Sequence, residues 1–171
     1  MAATAAGDTL AQMTPQERVG QALEWLGLPA RVVEFEASTR TAADAAAAVG
    51  CELGQIVKTL VFMAEGRPTM ALVAGDRQVD TSKLAELLGV SRKRLKMGSP
   101  EEVLDLTGYP VGGVAPVGAF EPCDVVVDES LRRYGTVWAA AGSGNAVFEA
   151  RLQDLVSKVE GQWAAITRDP S

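Results

Sequence analysis

Lys58 stands inside an apolar run, Ile56-Val57-Lys58-Thr59-Leu60-Val61-Phe62. Strand alternation puts it on the same face as Leu60 and Phe62, so an inward-packed face would force its ammonium into a pocket or into costly burial. Two readings stand. The stem packs while the head reaches water, or the ammonium is a fixed charge at the rim of a site. There it would stabilise an ester oxygen or a phosphate more strongly than in bulk water. A second candidate is Gly112-Gly113-Val114-Ala115-Pro116-Val117-Gly118. Its glycines and stiffening proline let backbone N–H groups face a ligand without intruding side chains, as an oxyanion hole requires, although the same composition suits a plain connection. Neither GxGxxG nor GxxxxGK[ST] is present, so the phosphate-cradling fingerprints are absent. Gly142-Ser143-Gly144-Asn145 reads, taken alone, as a turn. Arg92-Lys93-Arg94-Leu95-Lys96 carries four cations in five residues and suits either contact with phosphates or a solvated surface.

What is missing narrows the chemistry. The chain has no histidine, which removes a triad with a histidine base, histidine metal sites and a histidine proton shuttle. Cys51 and Cys123 form no CxxC pair and read as reduced structural residues, with Asp124 opposing any thiolate at Cys123. No metal and no cofactor is expected. The net charge is −6, so general electrostatic gripping of nucleic acid is disfavoured and any contact must be local. The first residues have no Lys or Arg and no apolar core of signal-peptide length, and no run is long enough to span a bilayer, which points to a soluble cytoplasmic protein.

The elements that must hold these residues follow from caps and periodicity. Thr14-Pro15-Gln16-Glu17 opens a helix with Val19, Ala22, Leu23 and Leu26 at helical spacing, closed by Gly27. Arg31 to Glu36 reads as a strand, and Thr41 caps an alanine-rich helix ending at Gly50. Val57 to Met63 and Thr69 to Ala74 read as an antiparallel hairpin linked by Glu65 to Pro68. Asp80 and Ser99 cap two further helices ending at Gly89 and near Gly108, and a long loop from Tyr109 to Pro122 precedes a strand from Asp124 to Val127. Strands at Thr136 to Ala140 and Ala146 to Ala150, a helix at Leu152 to Val159 and a strand near Trp163 to Thr167 complete the chain. Its 171 residues fit one α/β domain with a mixed sheet, spanning 14–171 behind a loose tail of residues 1–13.

Four ordered blocks carry a family pattern: Ser38-Thr39-Arg40-Thr41-Ala42, Gly54 to Phe62, Val79-Asp80-Thr81-Ser82-Lys83-Leu84, and Gly112 to Gly118. Together they resemble the YbaK/ProX family, the freestanding relatives of the editing domain of bacterial prolyl-tRNA synthetases, from about Val19 to Ala150. The resemblance implies a strongly curved mixed sheet surrounded by helices. It also implies hydrolysis of the ester joining a wrong amino acid to tRNA, most often tRNA for proline, with a transient synthetase contact and no membrane. The family's lysine falls on Lys58 and its GxxxP loop on Gly112 to Pro116, making Lys58, Gly112 and Gly113 the expected catalytic set. Thr39, Thr41, Val114, Ala115, Pro116, Gly142 and Ser143 are the expected substrate contacts, and Arg92, Lys93, Arg94 and Lys96 the expected tRNA contacts. Backbone donors and a water or substrate hydroxyl would then do the work that histidine does elsewhere. Many relatives continue the loop with a histidine, where this chain has Ala119. The same pocket could instead belong to a module that binds an aminoacyl end, an amino acid or a nucleotide without turnover.

Overall fold

The computed structural model describes residues 12–36 and 41–169. Local chemistry sets the helix starts. Thr14 caps helix α1 (Pro15–Trp25), accepting a hydrogen bond from the Glu17 N–H while the Glu17 carboxylate accepts from the Thr14 N–H. Thr41 caps α2 (Ala42–Val49), Asp80 caps α3 (Thr81–Leu88), and Ser99 with Glu102 closes a second reciprocal cap on α4 (Pro100–Thr107). A fifth helix, α5, spans Leu152–Lys158. The expected tail falls on residues 1–11, outside the described residues, apart from its last two positions.

The strands are β1 (Arg31–Glu34), β2 (Ile56–Ala64), β3 (Arg67–Ala74), β4 (Leu95–Met97), β5 (Asp124–Asp128), β6 (Thr136–Ala140), β7 (Ala146–Arg151) and β8 (Gln162–Ala164). They form one mixed sheet of order β1-β7-β6-β2-β3-β5-β8, with β4 also paired to β2. The expected β2–β3 hairpin is antiparallel. Its link is shorter than Glu65 to Pro68, because Arg67 and Pro68 already belong to β3. Only Glu65 and Gly66 turn, both at positive φ (50° and 82°), the backbone a two-residue hairpin uses to match strand twist. β1 stops at Glu34 rather than Glu36, and Thr167 makes an isolated bridge to Val79 beyond the end of β8. β4, unanticipated, emerges from the basic cluster: Arg92–Arg94 form a 3-10 turn that feeds it.

Burial follows alternation along β2. Val57 and Val61 face a core shared with Val19 and Leu23 of α1 and Leu155 of α5. Leu60 and Phe62 face a second cluster with Leu84 and Ala85 of α3 and Leu95 of β4. Lys58 lies in the same alternation register as Leu60 and Phe62. A third cluster packs Ala45 and Ala46 of α2 on Ile56, Trp138 and Val147.

One feature of pairing positions the site. β3 occupies one edge of β2 along nearly its whole length. The other edge is shared: β6 pairs in parallel only at Ile56 and Val57, and β4 pairs antiparallel only from Phe62 to Ala64. Between them the sheet forks, leaving the stretch from Lys58 to Val61 without a strand neighbour on that side among the described residues. Gly98, just past β4, donates to the Val61 carbonyl at 2.9 Å and closes the far end of the gap.

Candidate functional site

A cavity of about 490 Å³ occupies this fork. Its floor is β2 from Ile56 to Val61, and one side is Met97 and Gly98 after β4, with Pro100 and Val103 of α4. The other side is Thr41, Ala42 and Ala45 of α2 with Ala140, Ser143, Ala146 and Val147, and Val111, Gly112 and Val114 of the long loop also line it. Split sheets favour such clefts because departing strands leave a concave surface between them. The walls are mostly aliphatic, with polar side chains, among the described residues, only at Thr41, Lys58, Thr59 and Ser143. The Thr59 hydroxyl oxygen is itself buried with no hydrogen-bond partner among the described residues.

Lys58 is half-buried, and its ammonium donates to the carbonyl of Arg77, in the turn after β3. Burial pushes its pKa below the usual lysine value, partly opposed by the Asp76 carboxylate. That carboxylate is already engaged. Arg133 donates to both of its oxygens, at 2.9 and 2.7 Å, and these bonds hold Asp76 below the usual carboxylate range.

The glycine loop meets the turn after β6. Gly142 donates to the Gly113 carbonyl at 3.0 Å, and Gly113 is buried against Ser143. Ser143 accepts from the Gln16 amide at 2.7 Å and lies 2.6 Å from the Asn145 side-chain oxygen, to which its hydroxyl donates. Asn145 in turn donates to the Phe35 carbonyl at 3.1 Å. The Gly113 N–H is taken by the Pro110 carbonyl at 2.9 Å, so it is not aimed at the cavity. The N–H groups of Gly112 and Val114, both lining residues, have no partner among the described residues. These two amides, a cationic side chain and an aliphatic cleft form a set able to bind a carbonyl oxygen and stabilise negative charge on it.

Of the expected residues, Lys58, Gly112, Val114, Thr41 and Ser143 line one cavity. Gly113, Ala115, Pro116 and Gly142 do not line it, and all four are buried. Thr39 lies outside the described residues.

Residues 36–158 match the aminoacyl-tRNA editing domain family. The chain belongs to that family. It is 38% identical over 143 residues to the uncharacterized protein YwhH of Bacillus subtilis (strain 168), covering 81% of this chain and 87% of that one. It is 30% identical over 128 residues to EbsC of Enterococcus faecalis, a candidate Cys-tRNA(Pro)/Cys-tRNA(Cys) deacylase, covering 74% of this chain and 77% of the other. A crystal structure of a candidate trans-editing enzyme for prolyl-tRNA synthetase superposes with a TM-score of 0.86 at 42% identity, covering 92% of this chain and 99% of that one.

In this editing domain the basic cluster adjoins the cavity through the chain itself. Arg92, Lys93, Arg94 and Lys96 are all exposed, Arg94 loosely paired to Glu65 at 3.8 Å, and the same strand runs on into Met97 and Gly98 of the cavity wall. Neither cysteine lines the cavity; burial raises the Cys123 thiol, with Asp124 and Glu121 adding to the rise. Among the described residues no helix is long and apolar enough to cross a membrane.

Sequence reasoning missed Met97, Val111 and Val147 as lining residues, and it missed Arg18 altogether. Arg18 of α1 is 4% exposed, with its guanidinium 4.4 Å from the centre of the Tyr109 ring and 4.2 Å from that of Phe120. It donates to the carbonyls of Thr107 (2.9 Å) and Gly118 (3.2 Å), while the Tyr109 hydroxyl donates to the Val117 carbonyl at 2.7 Å. The only hint in the sequence is an arginine next to Val19 on the face of α1 that carries its apolar residues.

Proposed function

We propose that this editing domain is a freestanding hydrolase that cleaves the ester between tRNA and a wrongly attached small amino acid, with tRNA for proline as the first substrate to try. The observation that carries the reading is that Lys58, Gly112 and Val114 line one mostly aliphatic cleft, the last two with N–H groups that have no partner among the described residues. Water, positioned by a ribose hydroxyl of the substrate that can also relay its proton, attacks the ester carbon. The two amides receive the oxyanion, and the ester C–O bond breaks with the proton passing to the departing ribose oxygen. Lys58 exchanges the neutral Arg77 carbonyl for an anionic oxygen at the tRNA end, a stronger charge-assisted partner. The need for a separate site is physical: a synthetase pocket gains only about 1–3 kcal/mol from a missing methylene, too little to reject smaller amino acids by binding alone. Ala119, just after the glycine loop, carries no side chain able to take part.

Incubation with a panel of misacylated tRNAs tests the proposal, with multiple-turnover loss of the ester as the expected result. Lys58→Ala is expected to lower kcat/KM by about 100-fold, in line with losing one preorganised electrostatic contact. Binding of the panel without release would make the protein a recognition module, and full activity in the Lys58→Ala variant would remove the lysine from the mechanism.

A further inference from the structure

Among the described residues, the one charged side chain lining the cavity is a cation, Lys58. Around it stand aliphatic walls such as Ala45, Val57, Val103 and Val147. Of the lining hydroxyls, Ser143 is engaged with Gln16 and Asn145, Thr41 accepts from the Asp44 N–H at 3.0 Å, and that of Thr59, without a partner among the described residues, can accept a hydrogen bond but brings no counter-charge. Asp76, whose charge reaches Lys58, is held by both of its oxygens on Arg133. The four residues before Thr41 in the sequence are Ala37, Ser38, Thr39 and Arg40, none of them a carboxylic acid.

An aminoacyl ester brings more than a carbonyl into this space. Its α-nitrogen titrates near neutrality, so the charged and uncharged forms are close in free energy and the surroundings decide between them. Here apolar desolvation acts against the ammonium, with no carboxylate lining the cavity among the described residues to offset it, and the Lys58 charge adds to this to the extent that the anionic oxygen of tRNA leaves it uncompensated. From this we infer that the editing domain accepts the aminoacyl group with its α-nitrogen uncharged and makes no ion pair to it. The inference rests on the deacylase reading and adds the form in which the substrate binds.

A site that recognised the nitrogen as a cation would reject an analogue lacking it; this site should not. The test uses the small amino acid that the panel shows to be removed, on its tRNA. It is compared with the same tRNA after nitrous acid has replaced the α-amine by a hydroxyl, at nearly unchanged size. With spontaneous hydrolysis subtracted, kcat/KM for the hydroxyacyl ester is expected to stay within about fivefold of the aminoacyl value or to exceed it. A larger loss overturns the inference and leaves the deacylase reading standing. Cleavage of neither ester overturns that reading, and this inference with it.

Discussion

A methyl group added to Gly113 would sit 2.6 Å from the Ser143 Cα and 2.7 Å from the Ser143 nitrogen, backbone atoms that cannot rotate away. Relief requires the two loops to part, breaking the bond from Gly142 to the Gly113 carbonyl and shifting Gly112 and Val114, which line the cavity. Gly112 differs: an added methyl would meet open space, but its φ of +93° is one that L-residues adopt only under strain. Gly113→Ala is therefore expected to cost about 1–3 kcal/mol, as overpacking does, and to lower deacylation beyond what the lost stability explains. Urea unfolding beside a rate measurement at a temperature where both proteins are folded checks this. Unchanged stability would mean that the loops are not in contact.

At the scale of elements, α1 serves as the back plate of the glycine loop, and Arg18 is its fastener. Replacing Arg18 with Met keeps much of the apolar stem but removes the bonds to the Thr107 carbonyl at the end of α4 and the Gly118 carbonyl of the loop, and the cation over two rings. The expected loss is about 2–4 kcal/mol, because buried acceptors are left without donors, and amide exchange should quicken between Tyr109 and Phe120 more than in β3. Uniform exchange across the molecule would deny the fastening role. Arg18 is opaque in the sequence because an arginine's partner carbonyls, about 90 and 100 residues away, leave no local signature. The caps at Thr14, Thr41, Asp80 and Ser99 are legible because each is a bond between residues three apart or closer. Lys58 is legible for a related reason, as one charge in an alternating apolar strand. The fork around it is not, since it depends on where β4 and β6 each stop pairing with β2, and three residues of β4 carry too little pattern to be read. Gly113 shows the same limit: composition marks the loop as suited to present amides, but only the fold reveals that the Gly113 N–H is spent on Pro110.

For the whole molecule, the net charge of −6 should repel a polyanion at long range, so productive docking must rely on a local reversal of sign. The exposed cluster of Arg92, Lys93, Arg94 and Lys96 supplies one beside the wall formed by Met97 and Gly98. If these four side chains each displace a counterion from the duplex acceptor stem of tRNA, the logarithm of affinity should fall against the logarithm of salt with a slope of about −3.6. Reversing Arg92 and Lys93 to glutamate should raise KM for the tRNA substrate, flatten the slope by about 2 and leave kcat little changed, because neither residue lines the cavity. Steady-state rates across a salt series in parent and double variant measure all three quantities. A slope that the substitutions do not alter would mean that the acceptor stem approaches from another side, since charge reversal at a phosphate contact cannot leave counterion release untouched.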